Sequence, residues 1–180
     1  MKATGIVRRI DDLGRVVIPK EIRRTMRIRE GDPLEIYTDN DGEVIFKKYS
    51  PIGEMSPFAV QYSEVLSRST SLPVLISDRD HIIAVSGISK KEFLERRVSP
   101  QLEEMMESRK SYAMKVSDSK MINPVEGVEH NATVIVPITA SGDVAGSVVL
   151  LKGDSGAASS EAEVKLVQVA AAFLGKQMEE

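Results

Sequence analysis

The sequence predicts an α+β protein of two domains, a β-rich module at the N-terminus and a larger domain of mixed helices and strands. Its 180 residues exceed the needs of one small domain and suffice for two. Short runs of β-branched residues dominate residues 1–50, whereas helical and strand patterns alternate over residues 56–180. Pro51 and Gly53 interrupt both patterns, so residues 51–55 are predicted to be a linker.

The N-terminal module is predicted to contain four short strands and one helix. Valine and isoleucine favour the strands, and Asp-Asp-Leu-Gly at 11–14 supplies the first turn. Pro19 suits the first position of a helix that runs to about Met26. Asp-Gly at 41–42 accepts positive φ angles and predicts a hairpin. The predicted strands are 4–10, 15–18, 34–38 and 43–48.

This module lacks the means to be stable alone. A unit of about 50 residues without a disulfide or a metal is marginally stable, and the chain has no cysteine. A core shared with a second copy would supply the missing apolar contacts. We therefore predict that the N-terminal module dimerises.

The second domain is predicted to begin with a helix at Ser56 and Pro57, which suit the N-cap and first helical positions. Two further short helices start at 89 and 99, and Ser160 with Glu163 forms the capping-box pattern of a last helix that ends near Met178. The predicted strands are 73–77, 81–86, 112–117, 132–139 and 144–151.

The last helix is apolar over more than half of its circumference, which indicates burial on two sides. One side would cover its own sheet, and the other would meet a partner helix. If this contact and the N-terminal one join different pairs of subunits, a homotetramer results. The alternative is a surplus of alanine on a good helix former.

Charge is distributed unevenly along the chain. The net charge is −3, yet residues 2–29 hold nine basic and three acidic groups, a net of +6. Residues 51–180 hold 13 basic and 18 acidic groups, a net of −5. Charge separated in this way indicates one surface for an anionic partner.

Arginine suits a phosphate partner because its planar fork donates two parallel hydrogen bonds. Arg23, Arg24 and Arg27 fall on about one turn of the predicted helix, where like charges repel. Arg8 lies on the first predicted strand, and Arg15 opens the second. The alternative is a basic face that is merely solvated.

Residues 4–19 (TGIVRRIDDLGRVVIP) and 21–25 (EIRRT), continued by 31–32, 34–37 and 46–49, closely resemble the AbrB family of transition-state regulators. The resemblance implies a swapped-hairpin dimer, in which the strands of two chains interleave. It also implies binding to double-stranded DNA that is flexible and A/T-rich, through phosphate contacts and readout of DNA shape. The implied DNA-binding residues are Arg8, Arg15, Arg23 and Arg24, with Lys2 and Arg9 as helpers.

The order of elements in the second domain is similar to that of GAF domains. The combination with the AbrB-like module implies a developmental regulator that activates some genes and represses others during spore formation. GAF domains often enclose a small molecule between sheet and helices, and residues 120–129 could be a lid over it. An unidentified small-molecule ligand and a role in assembly alone both stay open.

No catalytic residue, metal site or cofactor is predicted. The two histidines, His81 and His130, have no metal-ligand spacing, and there is no phosphate-binding loop. Gly-Asp-Ser-Gly at 153–156 is interpreted as a loop, since the chain is too short for a trypsin-like protease. No apolar run approaches the ~20 residues that cross a membrane, so we expect a cytoplasmic, nucleoid-associated protein.

Two other functions remain possible from the sequence. MazE-like antitoxins share the swapped-hairpin module, although they end in a short toxin-binding tail rather than an α/β domain. The chain could also be a small-molecule-binding α/β protein whose N-terminal module is incidental. Tight binding of a ligand without binding of DNA would favour the second alternative.

Overall fold

The computed structural model describes residues 4–115 and 121–179 and divides the chain into two compact units, with the boundary between Tyr49 and Ser50. Residues 51–55, which we expected to be a linker, belong to the second unit. Pro51–Glu54 form a short helix, α2, after Ser50, and Ile52 is completely buried in the core of the second unit. The first unit therefore passes directly into the second.

The first unit contains one helix and one hairpin. Helix α1 (Lys20–Thr25) begins one residue later than predicted, with Pro19 as its N-cap rather than its first residue. Strands β1 (Leu34–Thr38) and β2 (Val44–Lys48) pair antiparallel, as predicted. Gly42 lies in the intervening turn at a φ of +83°, a conformation that glycine adopts without the steric cost of a side chain.

Residues 4–10 and 15–18 do not form the predicted strands within this chain. A turn joins them, in which the Asp11 N–H donates to the Arg15 carbonyl at 3.0 Å. The valines and isoleucines of both segments favour a strand, but a strand also needs a neighbouring backbone. In the described part of the first unit, the only strand pairing is between β1 and β2.

The second unit is a five-stranded antiparallel sheet in the order β4-β3-β7-β6-β5, with helices on both faces. Its strands agree with the predicted ones to within a few residues, except that β5 is short and residues 116–117 lie outside the described part. After α2, the elements are α3 (Ser56–Thr70), β3 (Val74–Ser77), β4 (Ile82–Ser86), α4 (Lys90–Phe93), α5 (Pro100–Ser108), β5 (Tyr112–Ala113), β6 (Ala132–Ala140), β7 (Asp143–Leu151) and α6 (Glu161–Gln177).

Alternating side chains of the sheet enter two separate cores. On β3, Val74 and Ile76 pack under α3 and α6, whereas Leu75 packs with Leu102 of α5 on the opposite face. This is the period-two alternation of a sheet that is buried on both faces. Helix α6 thus covers its own sheet with one side, as the sequence indicates.

The helix ends agree only in part with the predicted caps. Ser160 and Glu163 form the predicted capping box at the start of α6. Ser56 is the first residue of α3 rather than its N-cap. Within the described residues, no helix is long and apolar enough to cross a membrane.

Candidate nucleic-acid interface

Helix α1 carries two of the predicted arginines at consecutive positions in its last turn. Arg23 and Arg24 form its last turn, and the helix stops at Met26, whose N–H donates to the Ile22 carbonyl at 2.9 Å. Arg24 is exposed and Arg23 is half-buried. The Arg23 Nε is buried without a hydrogen-bond partner among the described residues. The end of α1 therefore combines one exposed arginine with one half-buried arginine whose Nε has no hydrogen-bond partner among the described residues.

Arg15 is held by Asp11 across the turn. One carboxylate oxygen of Asp11 accepts the N–H groups of Leu13 at 3.0 Å and Arg15 at 2.8 Å. The other oxygen accepts Arg15 Nε at 2.8 Å, and the Arg15 side chain remains 70% exposed. Asp11 is thus a positioning residue that sequence reasoning missed, although an Asp at the start of a turn is a common acceptor of such bonds.

We expect the Asp11 carboxyl to titrate below its ordinary pKa. The Arg15 backbone N–H and the Arg15 guanidinium, with the Leu13 N–H, lower the pKa because they stabilise the charged form. The turn is therefore stabilised above the ordinary carboxyl pKa and loses this contribution as the pH falls through the lowered value. Carbon-detected NMR titration of Asp11 measures the shift, and Arg15→Ala should bring the pKa back towards normal. An unshifted pKa in the wild type would contradict the arrangement.

The remaining predicted residues lie on the N-terminal segment. Arg8 and Arg9 are both exposed, and Lys2 lies outside the described residues. The predicted arginines therefore occupy three pieces of the first unit: the segment before the turn, the turn itself, and the end of α1.

The first unit also exposes most of its large apolar side chains. Among its described residues, only Pro19 is buried. Val7, for example, is 87% exposed. A folded unit rarely leaves so much apolar surface in water unless another surface covers it. The exposed large apolar residues are Ile6, Val7, Ile10, Leu13, Val16, Val17, Met26, Ile36, Tyr37, Val44, Ile45, Phe46 and Tyr49.

A second apolar surface lies on the outer side of α3 and α6; we call it the α3/α6 face. At its centre, the rings of Phe58, Tyr62 and Phe173 lie within 5.8–6.3 Å of one another, centroid to centroid. Val65 is 62% exposed on α3 and Val169 is 59% exposed on α6. Leu166 completes the face and is also exposed.

Buried apolar side chains pack together on the α5 side of the sheet in the second unit. Leu75, Leu102 and Met106 are buried there with Val149. Lys120 of the predicted lid lies outside the described residues. The rest of the predicted lid, residues 121–129, makes backbone contacts with neighbouring segments. Ile122 bridges Ala132 of β6, and the Pro124 carbonyl accepts the Ser99 N–H at 2.9 Å.

The two histidines and the Gly-Asp-Ser-Gly segment of the second unit lie apart from one another. His130 packs edge-on against Phe93, with ring centroids 5.4 Å apart. Exposed His81 contributes to an open cleft of about 500 Å³ with Ser56, Ile82, Ile83, Leu94 and Glu95. Residues 154–156 of the Gly-Asp-Ser-Gly segment lie in an exposed loop before α6.

Comparison with known proteins identifies relatives of both units. The family described as stage V sporulation protein T C-terminal, transcription factor, matches residues 54–179. The chain belongs to this family. It is 55% identical to stage V sporulation protein T of Bacillus subtilis (strain 168) over 182 aligned positions, which cover 100% of both chains. The protein is therefore a member of a family of sporulation transcription factors.

The first unit is related to two further groups. Over 51 residues it is 65% identical to transition state regulatory protein AbrB of Bacillus subtilis (strain 168), covering 28% of this chain and 52% of that protein. The predicted AbrB-like character is thus confirmed. The family described as antidote-toxin recognition MazE, bacterial antitoxin, matches residues 7–53. This second match covers only the N-terminal module, which MazE-like antitoxins also contain.

The second unit is similar to a GAF domain/HD domain protein from Geobacter sulfurreducens. The TM-score is 0.51 at 15% identity, and the match covers 68% of this chain and 91% of that one. At this identity the similarity concerns the fold alone. It confirms the predicted GAF-like fold of the second domain.

Proposed function

We propose that this member of the sporulation transcription factor family binds double-stranded DNA through its first unit and activates or represses genes by doing so. The observation that supports this most strongly is the net charge of +6 on residues 2–29 of an otherwise acidic chain. Arg8, Arg15 and Arg24 carry this charge on exposed side chains, and Arg23 lies beside Arg24. Arg9 and Lys2 would add phosphate contacts.

This arrangement suits phosphate-dominated binding with weak sequence preference. Guanidinium groups on separate pieces of backbone can follow a run of phosphates, which supplies affinity and little base discrimination. Flexible A/T-rich DNA would adapt to such a surface at the lowest deformation energy. We accordingly place the protein in the cytoplasm, at the nucleoid.

We propose that two first units dimerise by interleaving their strands. The exposed valines and isoleucines of residues 4–18 and the exposed apolar side chains of β1 and β2 would form one common core. The segments 4–10 and 15–18 would gain strand partners from the other copy. Dimerisation would therefore bury the exposed apolar side chains and supply the missing strand pairing at the same time.

We propose that the α3/α6 face joins two second units. Two such faces would pack as four helices, burying the aromatic cluster and the exposed valines. If this contact and the first-unit contact join different pairs of chains, the assembly is a tetramer with two DNA-binding dimers. A small-molecule ligand that alters the geometry of this assembly stays a prediction from the GAF-like fold.

The decisive experiment measures DNA affinity against salt for the Arg23→Ala/Arg24→Ala variant. We expect weaker binding to an A/T-rich duplex and a shallower salt dependence, by roughly 0.9 in the log–log slope for each phosphate that the variant no longer neutralises. Fluorescence anisotropy of a labelled duplex over a range of KCl concentrations measures both quantities.

A matched control removes two adjacent lysines from a short helix of the second unit. Lys90→Ala/Lys91→Ala on α4 changes the net charge by the same amount, and both side chains are exposed. This control should leave the salt slope close to that of the wild type. Equal slopes for the wild type and the arginine variant would mean that the basic face is merely solvated.

A further inference from the structure

Helix α1 ends at a left-handed residue that carries a side chain. Arg27 directly follows the C-cap Met26 and has a φ of +52°. Its N–H donates to the Arg24 carbonyl at 3.3 Å, and the Ile28 N–H donates to the Arg23 carbonyl at 2.7 Å. This pair of bonds forms a Schellman motif, in which the left-handed position is usually glycine. The backbone of both arginines therefore takes part in a turn that is sterically costly for a residue with a Cβ.

Lys48, the last residue of β2, holds the carbonyl group of this left-handed residue. Its Nζ donates to the Arg27 carbonyl at 3.0 Å, across 21 residues of sequence. Lys48 is itself fixed in the hairpin, where it pairs with Leu34 of β1. The hydrogen bond therefore joins the turn at the end of α1 to the end of the hairpin, within the first unit.

A buried carboxylate lies beside the same ammonium group. The Asp32 side chain is only 3% exposed, in a unit that exposes most of its large apolar side chains. Its Oδ2 accepts the Arg29 N–H at 2.7 Å and lies 3.8 Å from Lys48 Nζ. Burial of a carboxylate is costly unless donors and an opposite charge surround it. Asp32 thus connects the loop after α1 with the lysine that holds the turn.

We propose that Asp32 and Lys48 are positioning residues for DNA binding, which hold the Schellman turn and thereby the placement of Arg23 and Arg24 relative to the hairpin. This inference rests on the proposed function. A guanidinium group binds phosphate through directional hydrogen bonds, so its affinity depends on where its backbone is held. A turn that is fixed before binding also loses less conformational freedom on the DNA. Asp32 would then support DNA binding although its own charge opposes it.

This opposition of charge and position gives the test a sign. If Asp32 had no positioning role, Asp32→Asn would bind an A/T-rich duplex slightly more tightly than the wild type, because the net charge of the basic unit rises by one. We expect instead that Asp32→Asn weakens binding by about tenfold, the loss of one charge-assisted hydrogen bond. Fluorescence anisotropy with the full-length protein at one KCl concentration measures the difference.

Two comparisons separate position from charge. Glu30→Gln makes the same change of charge at an exposed acidic residue two positions earlier, and it should bind as tightly as the wild type or more tightly. In the Arg23→Ala/Arg24→Ala background, Asp32→Asn should cause no further weakening, because the residues through which it acts are already removed. An equal loss in both backgrounds would overturn the positioning role.

Hydrogen exchange reports on the turn without DNA. The Ile28 N–H is bonded to the Arg23 carbonyl, so its exchange should be faster in Asp32→Asn than in Glu30→Gln. The amides of β1 and β2 should keep their wild-type protection in both variants, since a local opening leaves the rest of a unit closed. Loss of protection throughout the hairpin would mean that the network merely stabilises the fold, and it would contradict the positioning role.

The outcomes distinguish this inference from the proposed function. If the wild type binds the duplex in a salt-dependent manner and Asp32→Asn binds as tightly as Glu30→Gln, the positioning role is wrong and DNA binding stands. If the wild type binds no duplex, the proposed function fails and the inference fails with it.

Discussion

Replacing Val169 by glutamate is expected to separate the assembly at the α3/α6 face and to halve its mass in solution, from tetramer to dimer. Val169 is 59% exposed in the single chain, so the substitution should change the stability of one subunit by no more than about 0.5 kcal/mol. Between two packed copies, however, the carboxylate would be buried among apolar side chains without a partner. Such a charge costs several kcal/mol.

Sedimentation velocity or light scattering of the full-length variant measures the change in mass. Leu94→Glu is the matched control, because Leu94 is also an exposed apolar side chain of the second unit and directly follows α4, outside the α3/α6 face. It should leave the mass unchanged. A Val169→Glu variant with the wild-type mass would rule out the α3/α6 face as the second contact.

The same variant should lose the advantage of two linked DNA-binding dimers. Each remaining dimer would keep its arginines and bind a single site with the affinity of the wild type. On a duplex with two sites, the affinity should fall by tenfold or more, since linkage of binding modules contributes on the order of 10²–10⁴. If the α3/α6 face joins two subunits as proposed, this assembly would determine how strongly the arginines of different dimers act together.

The elements that were predicted correctly are those whose signals are local in sequence. The capping box of Ser160 and Glu163 marks the start of α6, and the Asp-Gly of residues 41–42 marks the turn between β1 and β2. Both signals depend on residues that lie no more than three positions apart in the sequence. Helix α2 has a similar local signal, Ser50 followed by Pro51, and could have been predicted instead of a linker.

The predictions that failed depend on partners distant in sequence. The valines of 15–18 favour a strand, but the partner of a strand is not encoded next to it. The hydrogen bond from Ser50 to the Asp78 carboxylate joins residues that are 28 positions apart in sequence, so no local pattern indicates it. Of the candidate interface, the arginines are predicted from charge and resemblance and their role in DNA binding stays a prediction, whereas Asp11 became visible only through its bonds to Arg15.

Replacing Gly146 by alanine is expected to destabilise the second unit by about 3 kcal/mol or more, the upper part of the range for overpacked cores. Gly146 lies on β7, the central strand of the sheet. A Cβ at this position would lie 1.9 Å from the Ser77 carbonyl oxygen and 2.9 Å from its carbonyl carbon. Both atoms belong to the backbone of β3, so the clash can be relieved only if neighbouring strands separate.

The sign of this effect is opposite to the usual one, because alanine loses less conformational entropy on folding than glycine and normally stabilises a compatible site. Gly153→Ala is the matched control. Its Cβ would meet only the end of the Leu72 side chain, at 2.8 Å, which can rotate away. Urea denaturation followed by circular dichroism, at one protein concentration for all variants, should show a large loss for Gly146→Ala and a change within about 1 kcal/mol for Gly153→Ala. Equal stabilities of the two variants would contradict the close approach of β7 to β3.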